Sequence, residues 1–285
     1  MVKIIADSTC DLSKELLEKY DIDILPLHIR LDEQEYEDGK NITPEEIFRW
    51  SDEHKTTPKT SAPSLEDAVN LLKPYVEQKR QIVCFAISQE MSTSANVMRL
   101  AAAELDGEAL ITVIDSRSLS TGIGLLVVEA AAMAKEGQDA ASIAYQIEQL
   151  IPRVRASFVV DTLVYLHRGG RCSGLAALLG SAIKLHPKIV VEEGVMRSDK
   201  KYRGKMGFVI HSYVKDLEAD LRTCQCNRVF ITHSGCDTAD VEKVRQYLEG
   251  MGRFNEIIET RAGGVISSHC GPGTLGVLFI AERNL

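Results

Sequence analysis

The sequence predicts an α/β protein of two α/β domains, the N-terminal one a largely parallel sheet flanked by helices and the C-terminal one a mixed sheet with helices. Three observations predict it. Short β-type runs alternate with helix-period segments through the first half. The run from Gln81 to Ile87 is continuously apolar, as in a strand buried on both faces. From Phe158 onward the pattern becomes helix, hairpin, helix, strand, helix, strand, strand, which places the division between 1–156 and 157–285.

Val2 to Ala6 reads as the first strand and ends at Asp7-Ser8-Thr9, after which Asp11 and Ser13 offer capping side chains to a helix reaching about Tyr20. Ile22 to Ile29 is a second strand, followed by an acidic surface segment from Asp32 to Lys40. Thr43-Pro44-Glu45-Glu46 supplies an N-cap, a proline at the first helical position and an acidic first turn, so a helix should run to about His54. Lys55 to Ser64 is a polar loop, and Ser64-Leu65-Glu66-Asp67 has the capping-box pattern. After the buried strand comes a hydroxyl-rich loop, Ser88 to Ser94, and a helix from Ala95 to Leu105. The unit repeats as strand Leu110 to Ile114, loop to Thr121 and helix Gly122 to Lys135, with a further helix from Ala140 to Leu150.

In the second half, Phe158 to Val160 is a strand, and Lys188 to Val191 with Val195 to Arg197 flank Glu193-Gly194, a short-turn hairpin signal. Phe208 to Arg222 has the spacing of one amphipathic helix. Arg228 to Thr232 is a strand, Ala239 to Glu249 a helix and Val277 to Ala281 a closing strand.

Composition narrows the function classes. Of 285 residues, 45% are apolar and 26% charged, which excludes disorder for the bulk of the chain. The formal charge of −8 comes without a cationic stripe, so nucleic acid is not an expected partner. The longest apolar run, Gly122 to Ala134, is broken by Glu129 and falls short of the ~18 residues a bilayer span needs. The first residues read as a strand and not as an export signal. Seven scattered cysteines, an odd number, fit a reducing cytoplasm better than a disulfide framework.

Several segments carry polar groups at places where a parallel sheet gathers ligands. Ser92-Thr93-Ser94 precedes a helix whose free N–H groups favour an anion, although helix capping explains the same residues. Thr60 and Ser61 precede another helix and are not needed for its cap, since Ser64 fills that position. Ser267 to Gly276 contains G-x-G-x-x-G, but Gly276 leads into a strand and Pro272 removes an N–H, so a dinucleotide loop is excluded. The glycines are expected to form a tight loop that presents His269. Gly169-Gly170-Arg171 reads as a helix C-cap, with Arg171 also free to contact an anion or a partner. The stretch Gly174 to Ile183 fits either close helix packing or the wall of an apolar tunnel. Cys224, Cys226, His233 and Cys236 lack the usual zinc spacing, and no metal site is expected. There is no G-x-S-x-G elbow, Walker loop or kinase signature.

Taken in order, Asp7-Ser8-Thr9, Thr60-Ser61-Ala62-Pro63-Ser64, Ser92-Thr93-Ser94, Asp115-Ser116, Gly169-Gly170-Arg171, Lys201-Tyr202-Arg203-Gly204 and His269-Cys270-Gly271-Pro272-Gly273 resemble the DegV family across essentially the whole chain. The resemblance implies two α/β domains with a long-chain fatty acid between them, bound by a non-catalytic protein that presents the carboxylate to a fatty acid kinase subunit. It implies a carboxylate site of Thr60, Ser61, Ser92, Ser94 and His269, no cofactor besides the bound acid, and partner or anion contacts at Arg171 and Arg203. Thr93 departs from the family, which usually has glycine there; a β-branched residue limits backbone freedom. A rival reading makes Ser92 and His269 the machinery of an enzyme acting on a small acyl or phosphate substrate.

Overall fold

β1 (Lys3–Asp7), β2 (Ile22–Leu25), β6 (Ile82–Ala86) and β7 (Ile111–Asp115) pair in parallel in the order β2-β1-β6-β7. β1 and β6 are buried at every position, which is why Ile82 to Ala86 shows no polar alternation. The computed structural model describes residues 1–172 and 185–282. The apolar stretch Gly174 to Ile183 lies outside them.

α3 (Leu65–Glu77) and α4 (Ser94–Glu104) cover one face of this sheet through Leu72, Ala95 and Met98. α2 (Pro44–His54) and α3 begin with the capping boxes read from the sequence, Thr43 with Glu46 and Ser64 with Asp67. The chain passes from β1 to β2 on one side and then to β6 on the other. Loops leaving such a switch point diverge and leave a crevice at the strand carboxyl ends.

The second sheet has six strands in the order β10-β9-β8-β13-β11-β12. These are β8 (Val154–Val159), β9 (Leu185–Glu192), β10 (Val195–Arg203), β11 (Arg228–His233), β12 (Glu256–Arg261) and β13 (Leu275–Ile280). Only the β11–β12 pairing is parallel among these neighbours, so the sheet is mixed. Glu193 and Gly194 both take positive φ (50° and 84°), the geometry of the tight turn their sequence signalled. β8 begins at Val154, so the expected division at 156/157 falls inside a strand of the second sheet.

α5 (Thr121–Lys135) lies between the two sheets, touching β1 and β6 on one side and β8 and β13 on the other. Its residues from Thr121 to Val128 are all buried, as befits a helix that is apolar all round. The apolar run broken by Glu129 is therefore an interior helix. Glu129 pairs with Arg228, which also holds Glu256 at 3.2 Å, so this acid within the helix ties it to β11 and β12.

Four expectations need correction. Ile22 to Ile29 is not one strand: Pro26, without an N–H, ends β2, and β3 (His28–Leu31) starts a separate antiparallel sheet. The acidic segment contains β4 (Gln34–Glu37), reached through Asp32 at φ 53°. The polar loop contains β5 (Lys59–Ser61), paired with β3 so that Ile29 faces Thr60. Phe208 to Arg222 divides at Leu217 into α8 (Met206–Asp216) and α9 (Glu218–Arg222).

α8 is fastened to the sheet centre by one hydroxyl. Tyr213, fully buried, donates to the Ser157 carbonyl (2.7 Å) and accepts from the Val277 N–H (3.0 Å). Tyr213→Phe strands that N–H in the interior, and urea denaturation should show a loss of about 1–3 kcal/mol. An unchanged midpoint would contradict this role.

Candidate functional site

A cavity of about 500 Å³, within the usual range of small-molecule sites, lies at the switch point of the first sheet and reaches the second. Its apolar wall includes Leu27 after β2, Ile87 after β6, Leu119 ahead of α5, Met196 of β10 and Ile266. Its polar lining includes Thr60, Ser61, Ser92, Thr93, Arg171 and His269. A second space of about 20 Å³ shares Leu119, Ile266 and Cys270 with it and continues toward Phe158, Thr232 and Leu278.

Thr60 is held by its pairing with Ile29, and His269 lies in the last turn of α11 (Gly264–Cys270). This corrects the expectation of a glycine loop presenting the histidine. The glycines follow the helix and end it: Gly271 takes φ 76° at the C-cap, where its N–H donates to the Ser267 carbonyl at 2.9 Å. Thr60 Oγ1 and His269 Nε2 lie 2.8 Å apart, a hydrogen bond between residues 209 positions apart in the chain.

The other ring nitrogen, Nδ1, is buried with no hydrogen-bond partner among the described residues. Gly169, the last residue of α7 (Val164–Gly169), packs against it so closely that a Cβ there would collide with the ring. The ring therefore acts on the cavity through its Nε2 edge. Burial, with a further contribution from the Arg171 charge, pulls the His269 pKa from 6.5 down to about 4. At neutral pH the ring is uncharged and offers a hydrogen bond without a fixed positive charge.

Ser92 follows the turn after β6, in which the Met91 and Ser92 N–H groups donate to the Ser88 carbonyl at 2.9 and 3.1 Å. Its Oγ is 3.0 Å from Ser94 Oγ and accepts from the Ser94 N–H at 3.3 Å. Ser94 is fully buried and does not line the cavity; it fixes Ser92 from behind. Thr93 lines the cavity at φ −88°, a value open to any L-residue, so the β-branched side chain in place of glycine leaves the backbone unstrained. Ser61 is exposed at the edge of the cavity.

Arg171 is exposed at the rim, where Nη1 donates to the Gly169 carbonyl (2.7 Å) beside the left-handed cap Gly170. Arg203 is elsewhere: it is exposed at the far end of β10, opposite Leu185, and does not line the cavity. The cysteines considered for zinc are also apart in environment. Cys224 is buried with its thiol on the Leu221 carbonyl, Cys226 is exposed, and His233 pairs with Glu259.

Sequence reasoning missed the carboxylates behind the cavity. Asp7, Asp11 and Asp38 are all buried, and the charge of Asp38 disfavours ionisation of both Asp7 and Asp11. Burial raises Asp7 to about 6 and pushes Asp11 and Asp38 up as well. Asp7 accepts from the Ile87 N–H at 2.9 Å, steadying the strand end that leads to Ser92. Asp7 and Asp11 read as ordinary capping residues, and only their separation from water distinguishes them.

Comparison with known proteins identifies the family of the chain. A family model described as an uncharacterised protein of the DegV family matches residues 1–282. The chain belongs to the DegV family. A DegV domain-containing protein of Clostridium perfringens is 34% identical over 282 residues, covering 99% of each chain. A DegV family protein from Thermus thermophilus, described for its fatty acid binding, superposes with a TM-score of 0.90 at 31% identity, covering 98% of this chain and 99% of that one. A stearic acid-binding protein from Eubacterium ventriosum superposes with a TM-score of 0.85 at 30% identity, covering 99% of both. The two-domain architecture of this DegV chain is thus shared with structures described by the fatty acid they bind.

The depressed His269 pKa has a measurable sign. The unfolded chain takes up a proton near pH 6.5 that the folded chain resists until about 4, so this contribution to stability is present above 6.5 and is lost as pH falls through that window. Stability of the wild type relative to His269→Gln, from urea titrations at a series of pH values, should fall between 6.5 and 4. A flat difference would show that the ring titrates normally.

Proposed function

We propose that the protein binds a long-chain fatty acid between its two domains, with the carboxylate held at Thr60, Ser61, Ser92 and His269 and Ser94 supporting Ser92, and presents it to a partner kinase for acyl-phosphate formation. The observation that carries the reading is the Thr60–His269 pair at a cavity whose remaining wall is largely apolar. The solved relatives described as fatty acid-binding, at 30% identity or above, support the same ligand class.

The physical division of labour is clear. Burial at ~0.8 kcal/mol per methylene gives an acyl chain of about sixteen carbons on the order of 10 kcal/mol before ordering costs, so the tail dominates affinity. Hydroxyls and a neutral imidazole then orient the head group and satisfy its oxygens, which would otherwise be costly to bury. In this reading the protein is not itself the catalyst. His269 Nε2 engages Thr60 and not Ser92, and a ring with a pKa near 4 is a poor general base at neutral pH, which disfavours the enzyme alternative. Arg171, exposed at the rim, is the contact we assign to the kinase or to the acyl phosphate. The odd number of scattered cysteines fits a cytoplasmic setting.

Native mass spectrometry of gently purified protein should show a retained acid of long-chain mass; an empty protein with hydrolase turnover would favour the enzyme reading. Thr60→Val, Ser92→Ala and His269→Ala should each weaken palmitate binding by about tenfold, the cost of one lost buried hydrogen bond, without unfolding the chain. Unchanged affinity in all three, measured by titration calorimetry, would defeat the site assignment.

A further inference from the structure

α11, the helix that carries His269, has seven residues, and its N-cap is Gly263, which has no side chain to satisfy the first N–H groups. Those groups are met from the other domain. The Gly263 N–H donates to Asp11 Oδ1 at 2.8 Å and the Gly264 N–H to Asp38 Oδ1 at 2.7 Å. Each carboxylate is gripped at its other oxygen as well: Ser120 Oγ donates to Asp11 Oδ2 and Ser8 Oγ to Asp38 Oδ2, at 2.5 and 2.8 Å. Both acids are buried, so neither can be replaced in this role by water. A Cβ on Gly264 would crowd Ile29, Ile47 and Asp38, which shows how closely the helix start is seated.

We propose that Asp11 and Asp38 are positioning residues of the carboxylate site, setting the height and tilt of α11 and through it the reach of His269. The inference rests on the fatty acid reading of that site. Asp38 follows β4 and its N–H donates to the Leu27 carbonyl (2.9 Å), so it belongs to the same small sheet that holds Thr60 on β5. One rigid frame thereby grips α11 at both ends, through Asp38 at its start and through Thr60 at its last turn. At 1.5 Å per residue the helix is only about 10 Å long, and a shift at its start passes to His269 nearly undiminished. A serine or asparagine at 263 would cap the helix without the cost of burying two acids. Supplying the cap from the opposite domain adds what a local cap cannot: a fixed register between the domains at the head-group site.

The test compares Asp38→Ala, Asp11→Ala and Asp38→Asn with a destabilised control, Leu248→Ala, which opens a hole in the apolar cluster beneath α10 (Thr238–Gly250), away from the cavity. Two readouts are taken on each: palmitate affinity by calorimetry, and the imidazole nitrogen resonances of His269 by NMR on ligand-free protein. The alanine variants should bind palmitate at least about tenfold more weakly and shift the His269 resonances. Asp38→Asn keeps an acceptor for Gly264 and should recover both to within about threefold of wild-type affinity. Leu248→Ala should lose stability and change neither. Wild-type affinity or an unmoved His269 signal in the folded alanine variants overturns the proposal, as does the same change in Leu248→Ala. If the wild type itself takes up no palmitate, the fatty acid reading fails, and the His269 resonances of the same samples still decide whether the two acids position the ring.

Discussion

The site depends on one constraint: a short helix from late in the chain must seat in the first domain. Val265 of α11 packs in the small cluster with Leu27, Ile29 and Ile47, while Ile266, the next residue, joins the large cluster that runs between the sheets. Consecutive residues thus bury on different partners, and the helix is wedged where three sheets approach one another. The order of the polar groups at the cavity follows from that wedge. Thr60 meets His269 because the three-stranded sheet packs on α11, and Ser92 faces them because β6 ends at the same crevice.

Among the described residues, charge in the cavity lining is confined to two exposed side chains, Glu90 and Arg171. The histidine is held neutral by burial, the hydroxyls carry no charge, and Arg171 sits at the rim, partly engaged with the Gly169 carbonyl. Behind the wall stand buried acids, not bases. Under the proposed reading, such a site would take an amphiphile whose affinity comes from its apolar part, since a free carboxylate in water would gain little from neutral donors alone.

Much of this was legible in the sequence, and the exceptions share a cause. Capping boxes at Thr43 and Ser64, the two-residue turn at Glu193 and Gly194, and the left-handed cap at Gly170 are local devices whose chemistry is spelled out within four residues, and they appear where the chain predicts them. β5 has three residues of polar sequence and exists only because β3 offers it a partner. α11 is rich in serine and glycine, and its cap comes from residues more than 200 positions away, so no window of sequence contains the reason it is helical. The same holds for the site. Thr60, Ser92 and His269 stand out in the sequence as polar groups in promising loops, whereas the burial of Asp11 and Asp38 and the apolar wall, drawn from loops of the first half and from β10 and α11 of the second, are properties of the assembled core.

The burial of α5 carries a consequence for ligand exchange. A two-lobed receptor that opens like a clamshell needs a wettable surface between its halves. Here the halves share a greasy axle, buried around its full girth from Thr121 to Val128, whose interior acid, Glu129, is already spoken for by Arg228. Swinging the lobes apart would bring that axle into water, at a cost comparable to unfolding much of the core. A ligand of the proposed kind would therefore come and go through small, local displacements at the rim while the two halves stay joined.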